Sequence, residues 1–342
     1  MSTHELMSTA CALVAPGKGI LAADESPPTI ERRFKSIGLP STEENRRAYR
    51  DVLFTTPGIG EFISGVIMYD ETIKQRALDG TPFTETLVKQ GIIPGIKVDK
   101  GTKPLAMCPG ETITEGLDGL RERLATYRDL GARFAKWRAV ITIGDGLPSR
   151  TAIHTNAVAL ARYAALSQEA GLVPIVEPEV LMDGDHSLAR CYDATYATLR
   201  AVFYELAEQR VVLEGMLLKP NMVLSGKDCP EQASVQEVAE ATVRCLRHTV
   251  PAAMPGVVFL SGGQSSEAAT AHLNAMNAMD DTRPWQLSFS FARALQAPPL
   301  QLWRGDAANV PAAQQAFYHR AKCNSAARYS RYHHTMEKDR GY

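Results

Sequence analysis

The sequence lacks the features that mark membrane, secreted and nucleic-acid-binding proteins. No apolar run is long enough to cross a bilayer, and the N-terminus lacks the charged-then-apolar pattern of a secretory signal. The formal net charge is only -1 over 342 residues, which argues against nucleic acid or an anionic membrane as a partner. We therefore expect a cytoplasmic protein that binds neither a membrane nor nucleic acid, although a local basic pocket for a phosphorylated small molecule is compatible with this charge.

Potential metal ligands and disulfide patterns are also scarce. The 6 cysteines are scattered without a CxxC pair, which favours reduced thiols over a disulfide framework. The 8 histidines show no HxxxH motif and no His/Cys cluster at ligand spacing. Asp183-Gly184-Asp185-His186 carries metal-binding residue types, but the other ligands of a calcium loop are missing, so we interpret it as a loop before a helix. We expect no metal and no other cofactor.

The chain also has no linker and no low-complexity segment, so residues 1–342 are expected to form a single domain. Eight short apolar runs alternate with helical patterns, and this alternation predicts a parallel sheet. Eight repeats predict an α/β fold of the closed (β/α)8 TIM-barrel type, with an N-terminal helix. A doubly wound sheet is the alternative, but Gly17-Lys18-Gly19 lacks the context of its Gly-rich loop. Residues 326–342 form a polar segment that we predict to be a mobile tail.

Charged and hydroxyl side chains occur at the ends of seven predicted strands. They are Asp24, Lys97, Lys136 with Arg138, Glu177 with Glu179, Lys219, Ser261, and Ser290 with Arg293. The active sites of barrels lie at the carboxyl ends of the strands. Each residue alone has a structural explanation, but together they predict a site, and five bases against three acids favour an anionic substrate.

Lys219 follows a short apolar run, Gly215 to Leu218, and precedes Pro220, which cannot easily extend a central strand. A lysine at the rim of an apolar core is a candidate nucleophile, because desolvation or a neighbouring cation lowers its pKa. A second lysine, Lys136, would lie on a nearby strand. Because each ammonium raises the cost of protonating the other, one of the two lysines can be neutral near pH 7. The alternative is a lysine whose ammonium simply extends into solvent.

Acids and an anion site complete the predicted chemistry. Glu177 or Glu179 could transfer the protons that imine formation with a ketone requires, and Asp24 could accept a proton from a substrate hydroxyl. Ser261-Gly262-Gly263 and Arg293 stand where barrels often bind phosphate. The alternatives are a solvated loop at residues 177–179 and an ordinary strand-to-helix turn at the glycines.

Seven stretches of the sequence resemble one known family, the class I (Schiff-base) fructose-bisphosphate aldolases. They are Gly17-Lys18-Gly19-Ile20-Leu21-Ala22-Ala23-Asp24-Glu25-Ser26, Thr42-Glu43-Glu44-Asn45-Arg46-Arg47, Gly95-Ile96-Lys97-Val98-Asp99-Lys100-Gly101, Phe134-Ala135-Lys136-Trp137-Arg138, Val173-Pro174-Ile175-Val176-Glu177-Pro178-Glu179, Leu217-Leu218-Lys219-Pro220-Asn221-Met222-Val223 and Phe259-Leu260-Ser261-Gly262-Gly263-Gln264-Ser265. They keep the family's order and span nearly the whole chain.

The resemblance implies roles for individual residues. It implies that Lys219 is the Schiff-base lysine, that Glu177 is the acid/base of imine formation and that Asp24 is the base at the C4 hydroxyl. It further implies supporting catalytic roles for Lys136, Arg138 and Glu179, and a proton-transferring role for the terminal residue, Tyr342. One phosphate would bind at Ser261, Gly262, Gly263, Ser290 and Arg293, and the other at Lys97, Thr29 and Arg33.

The resemblance also implies an activity: the reversible cleavage of fructose 1,6-bisphosphate to dihydroxyacetone phosphate and glyceraldehyde 3-phosphate, in glycolysis and gluconeogenesis. A homotetramer is the usual assembly. One alternative is a Schiff-base aldolase for another phosphosugar, such as sedoheptulose 1,7-bisphosphate or fructose 1-phosphate. A second is a barrel that serves as a non-catalytic scaffold.

Overall fold

Eight parallel strands close into a barrel in this computed structural model, which describes residues 3–280 and 282–340. The order of the strands around the barrel is β1-β10-β9-β8-β7-β6-β3-β2. Their bounds are β1 (Gly19–Ala23), β2 (Ile63–Met68), β3 (Ile93–Lys97), β6 (Phe134–Ile141), β7 (Val173–Val180), β8 (Leu217–Leu218), β9 (Gly256–Phe259) and β10 (Gln286–Phe291). An antiparallel hairpin of β4 (Thr102–Pro104) and β5 (Thr112–Thr114) lies outside the barrel. The predicted (β/α)8 fold is confirmed, because the sheet is closed.

Helices connect the strands and cover the barrel. They are α1 (Thr3–Leu13), α2 (Pro27–Lys35), α3 (Glu43–Phe54), α4 (Asp70–Ile73), α5 (Phe83–Lys89), α6 (Leu120–Asp129), α7 (Arg150–Glu169), α8 (Leu188–Glu208), α9 (Val235–Thr249), α10 (Ser266–Ala278), α11 (Arg293–Trp303) and α12 (Val310–Arg328). Serines cap α7 to α10, because the hydroxyls of Ser149, Ser187, Ser234 and Ser265 accept hydrogen bonds from backbone N–H groups of the first turn. In the described part of the chain, no helix has the length and hydropathy needed to cross a membrane.

The N-terminal helix closes the amino end of the barrel. Buried side chains of α1, such as Leu13, pack with inward-facing strand residues in a core separate from the one under the outer helices. The Phe134 ring fills this inner core beside Gly95, where a Cβ would lie only 2.2 Å from a ring atom. The amino end of the barrel is therefore solid, and the cavity described below lies at the carboxyl end.

Two elements near the site differ from those that the sequence predicts. We predict that the fifth strand ends at Val176, but β7 continues through Pro178 to Val180. The prediction of a strand end at the proline is wrong because the register of β6 and β7 runs on past it, with Ala139 opposite Pro178. The sequence also gives no indication of α11, which contains Pro298 and Pro299.

The C-terminal segment is partly packed in the part that the structure describes. Helix α12 extends to Arg328, and Tyr332 and Glu337 are buried beyond it. The Glu337 carboxylate pairs with Arg320 and accepts a hydrogen bond of 2.8 Å from the Tyr332 hydroxyl. The mobility of residues 326–342 and the single-domain organisation stay predictions.

Candidate active site

A cavity of about 940 Å³ opens at the carboxyl ends of the barrel strands. Most of the residues that the sequence singles out line it, although they come from all parts of the chain. They are Asp24, Thr29, Arg33, Lys97, Lys136, Arg138, Glu177, Glu179, Lys219, Ser261, Gly262, Ser290 and Arg293. Gly263 lies beside Arg293, and Tyr342 falls outside the described residues.

Strands β6 and β7 supply four of the charged side chains. Residues two apart on a strand point to the same side, so Lys136 and Arg138 on β6 both face the cavity, as do Glu177 and Glu179 on β7. The register sets Arg138 opposite Glu177. Both glutamates are buried, and the alternative of a solvated loop at residues 177–179 is therefore wrong.

Alternating charges form a buried chain across the floor of the cavity. The Lys136 ammonium lies 2.6 Å from Asp24 Oδ2 and 3.0 Å from Glu177 Oε2. The second contact has the distance of an ion pair but not the angle of a hydrogen bond. The Lys219 ammonium lies 3.3 Å from the other oxygen of the same carboxylate, Glu177 Oε1. Glu177 therefore lies between the two lysines and contacts both.

The two lysines differ in their electrostatic surroundings. Burial lowers the pKa of Lys219, and the adjacent Lys136 lowers it further, against the opposing effect of Glu177. Burial acts in the same direction on the pKa of Lys136, but Asp24, Glu177 and Asp99 outweigh it and hold that pKa above the usual value. Lys136 is therefore the lysine held as an ammonium, and Lys219 is the one that more readily becomes a neutral amine.

The carboxylates are held in their ionised form. Burial alone would raise the pKa of Asp24, but Lys136 and Lys219 hold it well below its usual value. Glu177 behaves in the same way, because Lys136, Lys219 and Arg138 lower its pKa more than burial raises it. Both groups can thus accept a proton at neutral pH.

A further acid, Asp99, follows β3 and lines the cavity beside β6. Its Oδ1 lies 3.0 Å from the Lys97 ammonium, and its Oδ2 accepts a hydrogen bond of 3.2 Å from the backbone N–H of Arg138. The Arg138 side chain pairs with Glu179. Sequence reasoning did not select Asp99 as a site residue, although it stands directly after the third predicted strand.

The carboxyl ends of β9 and β10 bring hydroxyls and a cation together. Ser261 and Ser290 are buried, and the Ser290 hydroxyl has no hydrogen-bond partner among the described residues. Gly262 and Gly263 have φ values of 57° and 98°, in the left-handed region that side chains disfavour. A Cβ on Gly263 would lie 3.2 Å from Arg293 Nη2, so a side chain there would crowd the guanidinium.

Helix α2 forms the other cationic side of the cavity. Its residues Thr29 and Arg33 line the cavity, and Arg33 pairs with the buried carboxylate of Glu25. The other oxygen of Glu25 lies 2.5 Å from Arg50, and Gln296 Nε2 donates to the carboxylate at 2.8 Å. Sequence reasoning did not select Glu25, because the partners that give it importance come from α3 and α11.

One metal-ligand group exists in residues 3–280 and 282–340, and it lies outside the cavity. His319 and Cys323 are one helical turn apart on α12, and Glu337 joins them. The interpretation that no His/Cys cluster stands at ligand spacing is therefore wrong. The expectation of no metal and no other cofactor stays a prediction.

The chain is similar to proteins of known family along nearly its full length. The family model described as "Fructose-bisphosphate aldolase class-I" matches residues 5–341. A protein of Xanthomonas campestris named "Probable fructose-bisphosphate aldolase class 1" is 61% identical over 96% of this chain and 98% of its own. "Fructose-bisphosphate aldolase" of Dictyostelium discoideum is 56% identical over 96% of this chain and 92% of its own. "Fructose-bisphosphate aldolase 4, cytosolic" of Arabidopsis thaliana is 53% identical over 95% of this chain and 83% of its own.

A solved structure agrees with these relatives. The fructose-bisphosphate aldolase of Plasmodium falciparum, in a complex with TRAP and a small-molecule inhibitor, superposes with a TM-score of 0.95. It is 51% identical, and the match covers 96% of this chain and 95% of that one. Fold, sequence and the residues around the cavity lead to one conclusion: the chain belongs to the class I fructose-bisphosphate aldolase family.

Proposed function

We propose that Lys219 is the nucleophile that forms a Schiff base with the keto carbon of fructose 1,6-bisphosphate. The observation that carries this assignment is the contrast between the two buried lysines. Lys136 touches two carboxylates, whereas Lys219 contacts one and has a pKa lowered by burial and by Lys136. A neutral amine is the form that attacks a carbonyl.

The neighbouring acids would move the protons of the reaction. Glu177, 3.3 Å from Lys219, would accept the proton that the Lys219 nitrogen loses when the carbinolamine forms, and would return it to the carbinolamine oxygen, which leaves as water. Asp24 would accept the proton of the C4 hydroxyl as the C3–C4 bond breaks and glyceraldehyde 3-phosphate is released. The electron pair of that bond passes into the iminium, which becomes an enamine. Protonation at C3 and hydrolysis of the imine then release dihydroxyacetone phosphate.

The supporting charges would keep these groups in position. Lys136, held as an ammonium, would stabilise the ionised forms of Asp24 and Glu177 between proton transfers. Arg138 and Glu179 form an ion pair beside this row of alternating charges. The pair would hold the cavity wall in place next to the reacting carbons. In this assignment Lys219 makes the covalent bond, and the other groups set proton positions and charge.

Two cationic ends of the cavity would hold the two phosphates. Ser261, Gly262, Gly263, Ser290 and Arg293 would bind the phosphate on the ketone side, and Lys97, Thr29 and Arg33 would bind the other. The buried Ser290 hydroxyl, which has no hydrogen-bond partner in the described part of the chain, supports the first site, because a phosphate oxygen would satisfy it. An ordinary turn at the glycines would not require hydroxyls and an arginine to converge there.

The experiment that tests the assignment is borohydride trapping with dihydroxyacetone phosphate, read by mass spectrometry of the peptides. We expect the label on Lys219, and we expect Lys219→Met to abolish it. Lys97→Met is the matched control, because Lys97 lines the same cavity but contacts Asp99 rather than Glu177. Label found mainly on Lys136 or Lys97 would overturn the assignment, and no label on any lysine would favour the scaffold alternative.

Steady-state kinetics of cleavage can rank the substrates. Fructose 1,6-bisphosphate, sedoheptulose 1,7-bisphosphate and fructose 1-phosphate differ in length and in the second phosphate, so a comparison of kcat/KM separates them. Two charged ends of the cavity favour a bisphosphate over fructose 1-phosphate. Cleavage of fructose 1-phosphate at an equal kcat/KM would contradict a role for Lys97, Thr29 and Arg33 at the second phosphate.

The assembly and the location are also proposals. We infer a homotetramer from the family resemblance, and sedimentation equilibrium of the full chain measures it directly. We infer a cytoplasmic location from the same resemblance and from the name of the Arabidopsis relative, which includes the word cytosolic.

A further inference from the structure

Three possible metal ligands converge at the junction of α12 and the C-terminal segment. Cys323 Sγ lies 3.5 Å from His319 Nε2, and Glu337 Oε2 lies 3.9 Å from the same nitrogen. The ligand atoms of all three residues lie within 4.8 Å of one another. Glu337 Oε2 is buried and makes no hydrogen bond within the described structure. None of the three lines the active-site cavity.

Two of the three ligand–ligand separations approach those of a tetrahedral zinc site. Ideal bond lengths of about 2.3 Å to sulfur and about 2.1 Å to nitrogen or oxygen place sulfur and nitrogen about 3.6 Å apart and nitrogen and oxygen about 3.4 Å apart. The first value matches the Cys323–His319 separation of 3.5 Å. The His319–Glu337 separation of 3.9 Å needs to shorten by roughly half an ångström, which a rotation of the carboxylate supplies.

The arrangement differs from that of a nucleophilic triad made from the same residue types. In a triad the two nitrogens of the imidazole face different partners, so that one accepts a proton while the other is held in place. Here His319 Nε2 faces both the Cys323 sulfur and the Glu337 oxygen. Cys323 is also fully buried and offers no access to a substrate. Convergence on one point is what a cation requires.

Neighbouring side chains orient the Glu337 carboxylate, but one of them also limits the affinity for a cation. Glu337 Oε1 accepts hydrogen bonds from Arg320 and the Tyr332 hydroxyl, which orients Oε2, as outer-shell partners do at metal sites. Arg340 Nη2 lies 3.6 Å from Glu337 Oε2 and opposes a cation. Its side chain is exposed and can move into solvent.

We propose that His319, Cys323 and Glu337 form a binding site for a zinc-type divalent cation that ties the C-terminal segment to α12. Binding replaces the thiol proton of Cys323, which is released to solvent, by a sulfur–metal bond, so no oxidant or reductant is needed. His319 and Cys323 belong to α12, whereas Glu337 comes from the segment beyond it. The cation would therefore cross-link the two. A water molecule would complete the coordination.

The test is titration of the chelator-treated full chain with Co²⁺, which reports a cysteine ligand by a thiolate-to-metal absorption band. We expect one Co²⁺ per chain with this band, displaced by Zn²⁺. Cys323→Ser should remove the band, and His319→Gln should weaken binding about tenfold or more. Cys245→Ser is the matched control, since Cys245 is equally buried but lies on α9. We expect it to leave the titration unchanged.

A second measurement reports the cross-link itself. Zn²⁺ should slow amide hydrogen exchange in residues 329–340 of the wild-type chain and leave exchange unchanged in Cys323→Ser. Circular dichroism of each variant without metal checks that the barrel is intact. Absence of a thiolate band, a band that persists in Cys323→Ser, or equal Zn²⁺ effects on exchange in both chains would overturn the proposal.

Discussion

At the scale of single residues, the lowered pKa of Lys219 depends partly on the Lys136 charge. Lys136→Met removes this neighbouring ammonium, so the pKa of Lys219 should rise. Because only the neutral amine attacks, the pH profile of imine formation should move to higher pH. Borohydride trapping with dihydroxyacetone phosphate at several pH values measures the shift. Lys97→Met is the control, and an equal shift in both variants would contradict a specific effect of Lys136.

A second prediction at this scale concerns Arg293. A guanidinium that binds phosphate through two hydrogen bonds contributes roughly 1.5 to 3 kcal/mol, or about tenfold to a hundredfold in affinity. Arg293→Ala should weaken the binding of dihydroxyacetone phosphate by that factor. It should leave the binding of unphosphorylated dihydroxyacetone almost unaffected, as measured by competitive inhibition. Arg33→Ala, at the other end of the cavity, should change the affinity for the two ligands by the same factor. Equal losses of affinity for both ligands in Arg293→Ala would mean that the arginine has only a structural role.

At the scale of elements, the buried carboxylate of Glu25 joins three helices to the barrel. It contacts Arg33 of α2, Arg50 of α3 and Gln296 of α11, and Gln296 also donates to the carbonyl of Ala22 in β1 at 2.7 Å. The Glu25 side chain therefore fixes the helix that carries Arg33 relative to the strand that leads to the catalytic acid. Removal of its charge leaves two guanidinium groups without their shared partner.

Glu25→Gln should lower the free energy of unfolding by roughly 3 to 5 kcal/mol at neutral pH. Burial alone would raise the pKa of Glu25, but Arg33 and Arg50 hold it below the usual value. The contribution is therefore complete above the unfolded pKa of about 4.3 and is lost as the pH falls through the folded value. Urea unfolding of both chains should show a difference that narrows in acid.

The matched control is Glu31→Gln. Glu31 lies on the exposed side of α2 and forms an ion pair with Lys35, 3.2 Å away. We expect a loss below about 1 kcal/mol, because exposed pairs contribute little. A difference between wild type and Glu25→Gln that is constant from neutral to acidic pH would contradict the linkage to the Glu25 charge.

Sequence patterns predict elements well where the signal is local. Apolar runs that end in charged residues predict the strands and their functional ends, because a barrel strand is buried along its length and meets the cavity at its carboxyl end. The continuation of β7 through Pro178 and the helix around Pro298 and Pro299 are not predicted. Proline removes a local hydrogen bond in both cases, while the compensation comes from tertiary packing, such as the buried Leu300 and Trp303.

Contacts across the chain account for the remaining differences. The Glu25 network joins residues of α2, α3 and α11, and no periodicity reports such neighbours. His319 and Cys323 have the four-residue spacing of one helical turn, but only the fold brings Glu337 to them. The family resemblance supplies roles for Lys219 and Glu177, but their alternation with Lys136 and Asp24 along one line of charge emerges only from the geometry.

At the scale of the whole molecule, the ends of the chain bear on the chemistry. The family resemblance predicts that Tyr342, which lies outside the described residues, transfers a proton at the enamine carbon. Deletion of Tyr342 should slow turnover and tritium exchange at C3 of dihydroxyacetone phosphate together, by about tenfold or more. Borohydride trapping at Lys219 should persist. Unchanged exchange in the shortened chain would assign this proton to Glu177 or to a bound phosphate.

The helix at the beginning of the chain has a consequence for biosynthesis. Leu13 packs against Gly65 in β2, and Val14 packs against Gly256 at the start of β9. Because α1 precedes β2 and β9 in the chain, it leaves the ribosome before them, and the cleft that receives its apolar side is incomplete until β9 has been made. During that interval α1 remains an unburied apolar segment, of the kind that chaperones bind. Burial of α1 in the barrel is thus a late event, which requires the synthesis of β9.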